Sequence, residues 1–441
     1  MINNKHMNIT NLYPRSIQQR LVEALEDSPV VLIHGPRQCG KSTLAQVTCI
    51  PNSFKGKVPQ IEKRLQGYTY LTFDDPVIRE SAQSDPLGFI DSLPFPVILD
   101  EIQRVRGLFE VIKISVDRQR IPGRFLLTGS TNILLIPQLS ESLAGRMEIV
   151  PLHPLTQFEL ANPSNNSCLD ANFLRDLFGK GFPSFRVDRM GAKLNEKIVS
   201  GGFPAALERS TTRRKANWYQ NYVEALVQRD VRDMVQIRSF DILPKLLRAA
   251  AAQTGQLYNL SNLASSFEIS RPTIGEYILL LTRIFMLEHL PAWHGNRLKR
   301  LVKSPKLHIT DTGLAATLLG LDVKTLVKDR VLLGHLLETF IFQELRRQGS
   351  WQEIKTDFSH FRDKDGYETD IVIQQSTGAV AGVEVKASAT VRWKDFRGLQ
   401  KLQKAVGAPF VRGVVLYDGE TSVPFGKHFQ AVPISRLWEA P

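Results

Sequence analysis

The chain has 441 residues, 43% of them hydrophobic and 23% charged, which is the make-up of a globular protein with proper cores and excludes a fibrous, collagenous or globally disordered chain. Length suggests roughly three domains. The net charge of +12 and pI near 9.6 admit nucleic acid or an acidic protein partner and require neither. The excess has a location: from Ala205 to Thr310 there are 16 Lys/Arg against 8 Asp/Glu. No apolar run reaches the ~18 residues of a membrane span, and polar Met1–Thr10 has no signal-peptide centre. Cys39, Cys49 and Cys168 lack metal-ligand spacing. Together these predict a cytoplasmic chain with no membrane partner.

From Tyr13 to Leu160, the short apolar runs Val30–His34, Tyr70–Phe73, Val97–Asp100 and Arg124–Thr128 alternate with amphipathic stretches. That pattern predicts an α/β domain over 13–160, its parallel sheet covered by helices on both faces. Directly after the first run comes Gly35-Pro-Arg-Gln-Cys-Gly-Lys-Ser42, then Thr43 and a helical pattern. This is the G-x-x-x-x-G-K-[ST] phosphate loop in its expected strand-to-helix setting. The nine residues Gly35, Pro36, Arg37, Gln38, Cys39, Gly40, Lys41, Ser42 and Thr43 are expected to cradle ATP, since backbone N–H groups and a helix N-terminus converge on phosphate there. Lys41 is expected to reach the terminal phosphates and Ser42 to ligate Mg²⁺.

Pro96-Val-Ile-Leu-Asp-Glu101 is an apolar strand ending in two acids. Asp100 suits the Mg²⁺ shell and Glu101 the polarisation of an attacking water. The run Arg124–Thr128 leads into Gly129-Ser-Thr-Asn132. If it lies between the two motif strands, Thr128 or Ser130 can sense the γ-phosphate; ordinary turn chemistry is the alternative.

On the strings Gly35–Leu44, Tyr70-Leu-Thr-Phe-Asp-Asp75, Val97-Ile-Leu-Asp-Glu-Ile-Gln103, Leu127-Thr-Gly-Ser130, Leu143-Ala-Gly-Arg146 and Gly201-Gly-Phe-Pro204, the chain resembles the AAA-type ATPases of bacteria and archaea that carry a C-terminal domain of unknown function. The resemblance implies that Arg146 meets nucleotide from the same or a neighbouring subunit, the latter requiring a homo-oligomer; a surface ion pair is the other reading. Cys39 stands where such proteins often have a small aliphatic residue and is assigned no redox role.

From 195 to 310 the pattern is helical. Leu260, Leu263, Ala264 and Phe267 are followed by the turn Ile269-Ser-Arg-Pro272 and by Ile274, Ile278, Leu281 and Phe285, which predicts a winged helix-turn-helix with Ser270 as a cap. A DNA-binding version would turn Arg271, Thr273 and Glu276 to the groove and Arg297, Lys299, Arg300 and Lys303 to phosphates. The same fold also docks proteins.

The last region, 320–441, predicts an α/β domain: a helix around Leu332–Arg347, then strands at Asp370–Ile373, Ala381–Lys386 and Val411–Tyr417. Glu384 and Lys386 share a strand face. With Asp370 and the helical Glu338 they resemble the PD-(D/E)xK nuclease signature, which implies Glu338, Asp370 and Glu384 as metal ligands and Lys386 as the residue acting on water. The alternative is a nuclease-like fold kept for binding, its acids paired with Lys386. The sequence therefore predicts an ATP-hydrolysing switch joined to a winged-helix and nuclease-like part acting on nucleic acid, or a non-cleaving scaffold of the same construction.

Overall fold

The computed structural model describes residues 12–50, 67–130, 143–162, 173–184, 186–228, 241–295 and 304–439. Arg297, Lys299, Arg300, Lys303, Asn132 and Cys168 lie outside them. The chain divides into two compact units. The first runs to Leu155 and takes in Asn162–Leu169 and Arg283–Phe285, and the second comprises Thr156–Ala161, Asp170–Thr282 and Met286–Pro441. The middle and C-terminal regions, read separately from sequence, thus fall in one unit.

The first unit is built on five parallel strands, β1 (Val30–His34), β2 (Thr69–Thr72), β3 (Val97–Asp100), β4 (Phe125–Gly129) and β5 (Met147–Pro151), in the order β2-β3-β4-β1-β5. Every residue of β1, β3 and β4 is buried, so their uniformly apolar composition is the direct result of helices on both faces. Val30, Leu32, Leu99, Phe125 and Leu127 form one core with Leu108, Phe109 and Ile112 of the Leu108–Arg118 helix. Each such side chain contributes roughly 1.5–3 kcal/mol on burial. The predicted interleaving is present: β4 separates the strand before the phosphate loop from the strand that carries the acids.

The second unit contains two sheets. β6 (Gln256–Leu257), β7 (Leu287–Leu290) and β8 (Lys306–Ile309) pair antiparallel in the order β6-β8-β7, among the helices Ile242–Ala252, Leu260–Phe267 and Arg271–Arg283. Asn259 caps the second of these helices through Ser261 and Asn262 N–H, and Ser270 Oγ accepts from Thr273 N–H at the start of the third. The larger sheet has the order β13-β14-β12-β11-β10-β9: β9 (Thr356–Arg362), β10 (Glu368–Gln375), β11 (Val380–Lys386), β12 (Phe410–Tyr417), β13 (Val423–Pro424) and β14 (Phe429–Pro433). β9, β10 and β11 are antiparallel neighbours, whereas β11 runs parallel to β12, the Arg397–Val406 helix lying between them in sequence.

Polar contacts tie these parts together. The Arg330–Gly349 helix meets β8 through Thr339, whose Oγ1 lies 3.0 Å from His308 Nδ1 and 2.9 Å from Thr254 Oγ1. Buried Asp311 accepts from Gly202 N–H, Tyr219 Oη–H, Gly313 N–H and Leu314 N–H. Gly201 belongs to this knot: at φ 67 a Cβ there would stand 2.2 Å from both Asp311 Oδ1 and Tyr219 Oη. The Gly-Gly-Phe-Pro string therefore has a packing cause.

Glu344, buried on the Arg330–Gly349 helix, accepts Gln157 N–H with both oxygens, at 3.1 and 3.0 Å. Burial pushes its carboxyl up from 4.5 to about 7. A folded-state value raised above the unfolded one gives stability that is complete below pH 4.5 and is lost as pH rises through 7. Glu344→Gln should therefore flatten the fall in urea-denaturation free energy between pH 5 and 8 by on the order of 3 kcal/mol. Identical slopes in the two proteins would show that Glu344 does not titrate in this range.

Candidate functional site

The turn from β1 into the Lys41–Cys49 helix fixes the first half of the site. A Cβ on Gly35 would sit 1.9 Å from the Leu152 carbonyl oxygen, and Gly40 has φ 99, so both glycines are sterically required here. Gln38 also takes the left-handed region, at φ 58. The loop turns back on itself: Lys41, buried, donates through Nζ to Gly35 O at 3.1 Å and Pro36 O at 2.8 Å. Arg37 and Thr43 are half-buried, Gln38 exposed. Cys39 is fully enclosed, and burial holds its thiol protonated by raising its pKa. It acts as a small apolar filler. Arg15, which no motif drew attention to, braces the loop through Cys39 O at 2.7 Å and His153 O at 2.5 Å.

The second half gathers on Asp100, buried at the end of β3. Its Oδ1 accepts from Ser42 Oγ at 2.7 Å and Thr128 Oγ1 at 2.5 Å; its Oδ2 accepts from Tyr70 Oη at 2.8 Å and Thr72 Oγ1 at 3.3 Å. Burial and then Asp100 itself raise the Tyr70 phenol, keeping it a donor. Glu101 turns out of the strand in the left-handed region, at φ 59 and ψ 44, a conformation costly for a non-glycine residue and found most at functional sites. Its N–H donates to Thr128 Oγ1 at 3.1 Å. Its carboxylate accepts from Ser130 Oγ at 2.9 Å and from Gln103 Nε2, and Gln103 Nε2 also reaches Ser130 Oγ at 2.8 Å. Tyr70, Thr72 and Gln103 were legible only as residues inside longer strings. A hydroxyl and a carboxylate oxygen in contact are hard donors, and they fit Mg²⁺.

Arg146 stands elsewhere in this unit. Its guanidinium forks onto Asp117, with Nε 2.6 Å from Oδ1 and Nη2 3.0 Å from Oδ2. It precedes Met147, which pairs with Val30 at the start of β1, whereas the phosphate loop follows His34 at the strand's other end, opposite Pro151. The four intervening residue steps amount to about 13 Å of strand. The same-subunit reading of Arg146 finds no support in this placement: Arg146 lies toward the opposite end of the strands from its own loop.

The second unit assembles the C-terminal residues around a lysine absent from the sequence reading. Lys306 Nζ, buried at the start of β8, lies 2.7 Å from Glu338 Oε1, 2.5 Å from Glu368 Oε1 and 3.7 Å from Asp370 Oδ1. Asp370 Oδ2 accepts Val385 N–H at 2.8 Å, and Lys386 pairs with Glu384 at 3.0 Å. Burial, then Asp370, raises Glu338 well above the usual carboxylate range and pushes Glu384 up to about 8. Among the described residues no group of three or more His, Cys, Asp or Glu is placed to hold a metal ion. The expected trio Glu338, Asp370 and Glu384 does not fit a divalent cation, because an ammonium stands among the acids. On the Arg271–Arg283 helix, Arg271 and Glu276 are exposed, while Thr273 is half-buried with its Oγ1 2.8 Å from Ser270 Oγ.

The five-stranded parallel sheet, the glycine loop and the acid pair define the first unit as a P-loop ATPase-type domain. The family model that matches this unit agrees. Residues 27–161 match the AAA domain family model, 191–325 match a domain of unknown function (DUF8612) and 333–437 match a second (DUF4143). An uncharacterized protein of Mycobacterium tuberculosis is 28% identical over 426 residues, covering 96% of this chain and 84% of the relative. One from Haemophilus influenzae is 23% identical over 348 residues, covering 75% and 78%. Among solved structures, a Walker-type ATPase of Pyrococcus abyssi aligns with 71% of this chain and 99% of its own, at 15% identity and a TM-score of 0.40. Among the described residues no helix is long and apolar enough to cross a membrane.

With Arg146 at the far end of the strands, Arg146→Ala should leave the dissociation constant of a fluorescent ATP analogue within twofold of wild type in dilute protein. A loss of tenfold or more would contradict the placement.

Proposed function

We propose that the chain is an ATP-hydrolysing switch whose second unit engages nucleic acid. The observation that carries the first part is the set of contacts on Asp100. One carboxylate oxygen is shared by Ser42 from the phosphate-loop helix and Thr128 from the intervening strand, beside Glu101 held by Ser130 and Gln103. In this reading the loop amides and Lys41 take the β- and γ-phosphates of ATP. Ser42 and Asp100 would hold Mg²⁺, which when bound supplies neutralisation of phosphate charge. Lys41, now on the loop carbonyls, exchanges those contacts for phosphate oxygens. Glu101 orients and polarises the water that attacks the γ-phosphorus in line. Thr128 and Ser130, linked to both acids, are the groups through which loss of the γ-phosphate changes the site loops. Arg146, paired with Asp117 at the opposite end of the strands, is available for a neighbouring copy of the chain and not for its own nucleotide.

For the second unit, the β6-β8-β7 order among three helices supports the winged-helix reading, and the basic surplus between Ala205 and Thr310 supports a polyanion as partner. Helix, three antiparallel strands, helix and parallel strand in β9–β12 support the nuclease-like reading of the C-terminal fold. Lys306 among the acids favours binding over cleavage. Nucleic-acid binding should weaken with added salt as counterions are displaced.

The test is Mg²⁺-dependent phosphate release from ATP. Lys41→Ala and Glu101→Gln should each lower turnover by about 10²-fold or more, and Glu101→Gln should retain ATP binding within about threefold, since its loss falls on the chemical step. Wild-type turnover in both variants would sink the assignment.

A further inference from the structure

We infer that Lys306 is the resident cation of the acidic centre in the second unit: its ammonium takes the position where a nuclease with these acids would hold a divalent metal, and the centre therefore does not cleave phosphodiesters. The inference goes beyond the switch reading and does not depend on the nucleotide site.

Geometry fixes the lysine first. Lys306 opens β8 and is paired on both sides, with Leu257 of β6 and Leu290 of β7. β8 is in turn pinned to the Arg330–Gly349 helix by His308 with Thr339 and by Gln343 Nε2, which donates to Ile309 O at 3.3 Å, while Ile309 N–H donates to Thr254 Oγ1 at 3.1 Å. The side chain of Lys306 is 3% exposed. It is no surface lysine resting on an acid by chance. An ammonium carries three donors, and three carboxylates surround this one, two of them at 2.7 and 2.5 Å, the range of charge-assisted hydrogen bonds. A magnesium ion would need the same oxygens at roughly 2.0–2.1 Å, and it cannot share that volume with Nζ.

Charge is compensated by lysine: Glu338, Glu368 and Asp370 lie at Lys306, and Glu384 lies at Lys386. The remaining signature contacts are consumed as well: Asp370 Oδ2 accepts Val385 N–H and Lys386 pairs with Glu384. Glu384 Oε2 is buried with no hydrogen-bond partner among the described residues. It is the oxygen that would complete a cation site if the Lys306 charge were removed.

The experiment uses the full chain, without nucleotide, and Mn²⁺ as the probe. Mn²⁺ binding is followed by electron paramagnetic resonance and by thermal shift in wild type, Asp370→Asn, Lys306→Met and the Lys306→Met/Asp370→Asn pair. Wild type and Asp370→Asn should bind Mn²⁺ identically. Lys306→Met should gain one site at least tenfold tighter than any in wild type, together with a Mn²⁺-dependent rise in melting temperature, and both gains should vanish in the double variant. Wild-type Mn²⁺ binding that Asp370→Asn abolishes overturns the inference, and this arm decides even if Lys306→Met folds poorly. So does a folded Lys306→Met that gains no site. Incubation of wild type and Asp370→Asn with single- and double-stranded DNA in Mn²⁺ supplies the second readout: cleavage dependent on Asp370 would equally overturn it.

Discussion

A single buried carboxylate, Asp100, sets the geometry of the nucleotide site. Four hydroxyls from the phosphate-loop helix, β2 and β4 end on its two oxygens. Such a charge is tolerable away from water only when every lone pair finds a donor. That requirement fixes the register of the three strand ends. β3 must finish level with Tyr70 and Thr72 on one side and Thr128 on the other, and the pairing of Thr72 with Asp100 and of Leu99 with Leu127 delivers this. Once the strand ends are fixed, the left-handed turn at Glu101 aims the next carboxylate at Ser130. The turn after β1 must meanwhile pass within van der Waals reach of Leu152, where only glycine fits.

The second unit meets the same problem with different means. Its buried acids are numerous, and each has a charged or backbone donor. Asp311 takes amides from two segments and lies 3.5 Å from Arg347, Glu344 takes the Gln157 amide, and the C-terminal acids take Lys306 and Lys386. Paired charges of this sort are weak sources of stability, since desolvation offsets much of the attraction, but breaking one partner is costly. They act chiefly to fix which segments meet. Here they join β8 to the helix and sheet that follow it. This is why regions that read as two domains from their separate patterns form one compact unit.

How far the sequence carried the reading follows from the range of each interaction. The phosphate loop and the acid pair are local strings, set by short-range backbone geometry, and the fold brings Ser42 Oγ within 2.7 Å of Asp100 Oδ1. The uniformly apolar runs gave the covered strands for the same reason, with ends shifted by a residue or two: Arg124–Thr128 became Phe125–Gly129 and Val411–Tyr417 became Phe410–Tyr417. β9 was missed because Thr356–Arg362 mixes polar and apolar residues without clean alternation. The alternatives for Arg146 stayed open because a string cannot tell which end of a sheet it serves; the pairing of Met147 with Val30 does so. Lys306 and Glu368 were invisible for the deeper reason that their partnership spans 62 positions of chain between β8 and β10. A lysine opening a short strand was the available signal, and a solvated strand end is the ordinary explanation of it.

The two acidic centres differ in what shields them, and that difference bears on what each can bind. Asp100 is met by neutral hydroxyls, which hydrogen-bond a carboxylate without cancelling its charge. Ser42 Oγ has lone pairs of its own to offer a cation. Such a site keeps a net negative charge and hard oxygen donors, as the proposed binding of Mg²⁺ with a triphosphate requires. Glu338, Glu368 and Asp370 are met by an ammonium, which has donors only and already carries the positive charge a metal would bring. To admit a divalent ion there, the protein would have to expel a lysine held by β-pairing on both sides. The energetic asymmetry is built into the choice of donor, hydroxyl against ammonium. It suits the N-terminal centre to the nucleotide cycle proposed for it and the C-terminal centre to the fixed internal ion cluster inferred above.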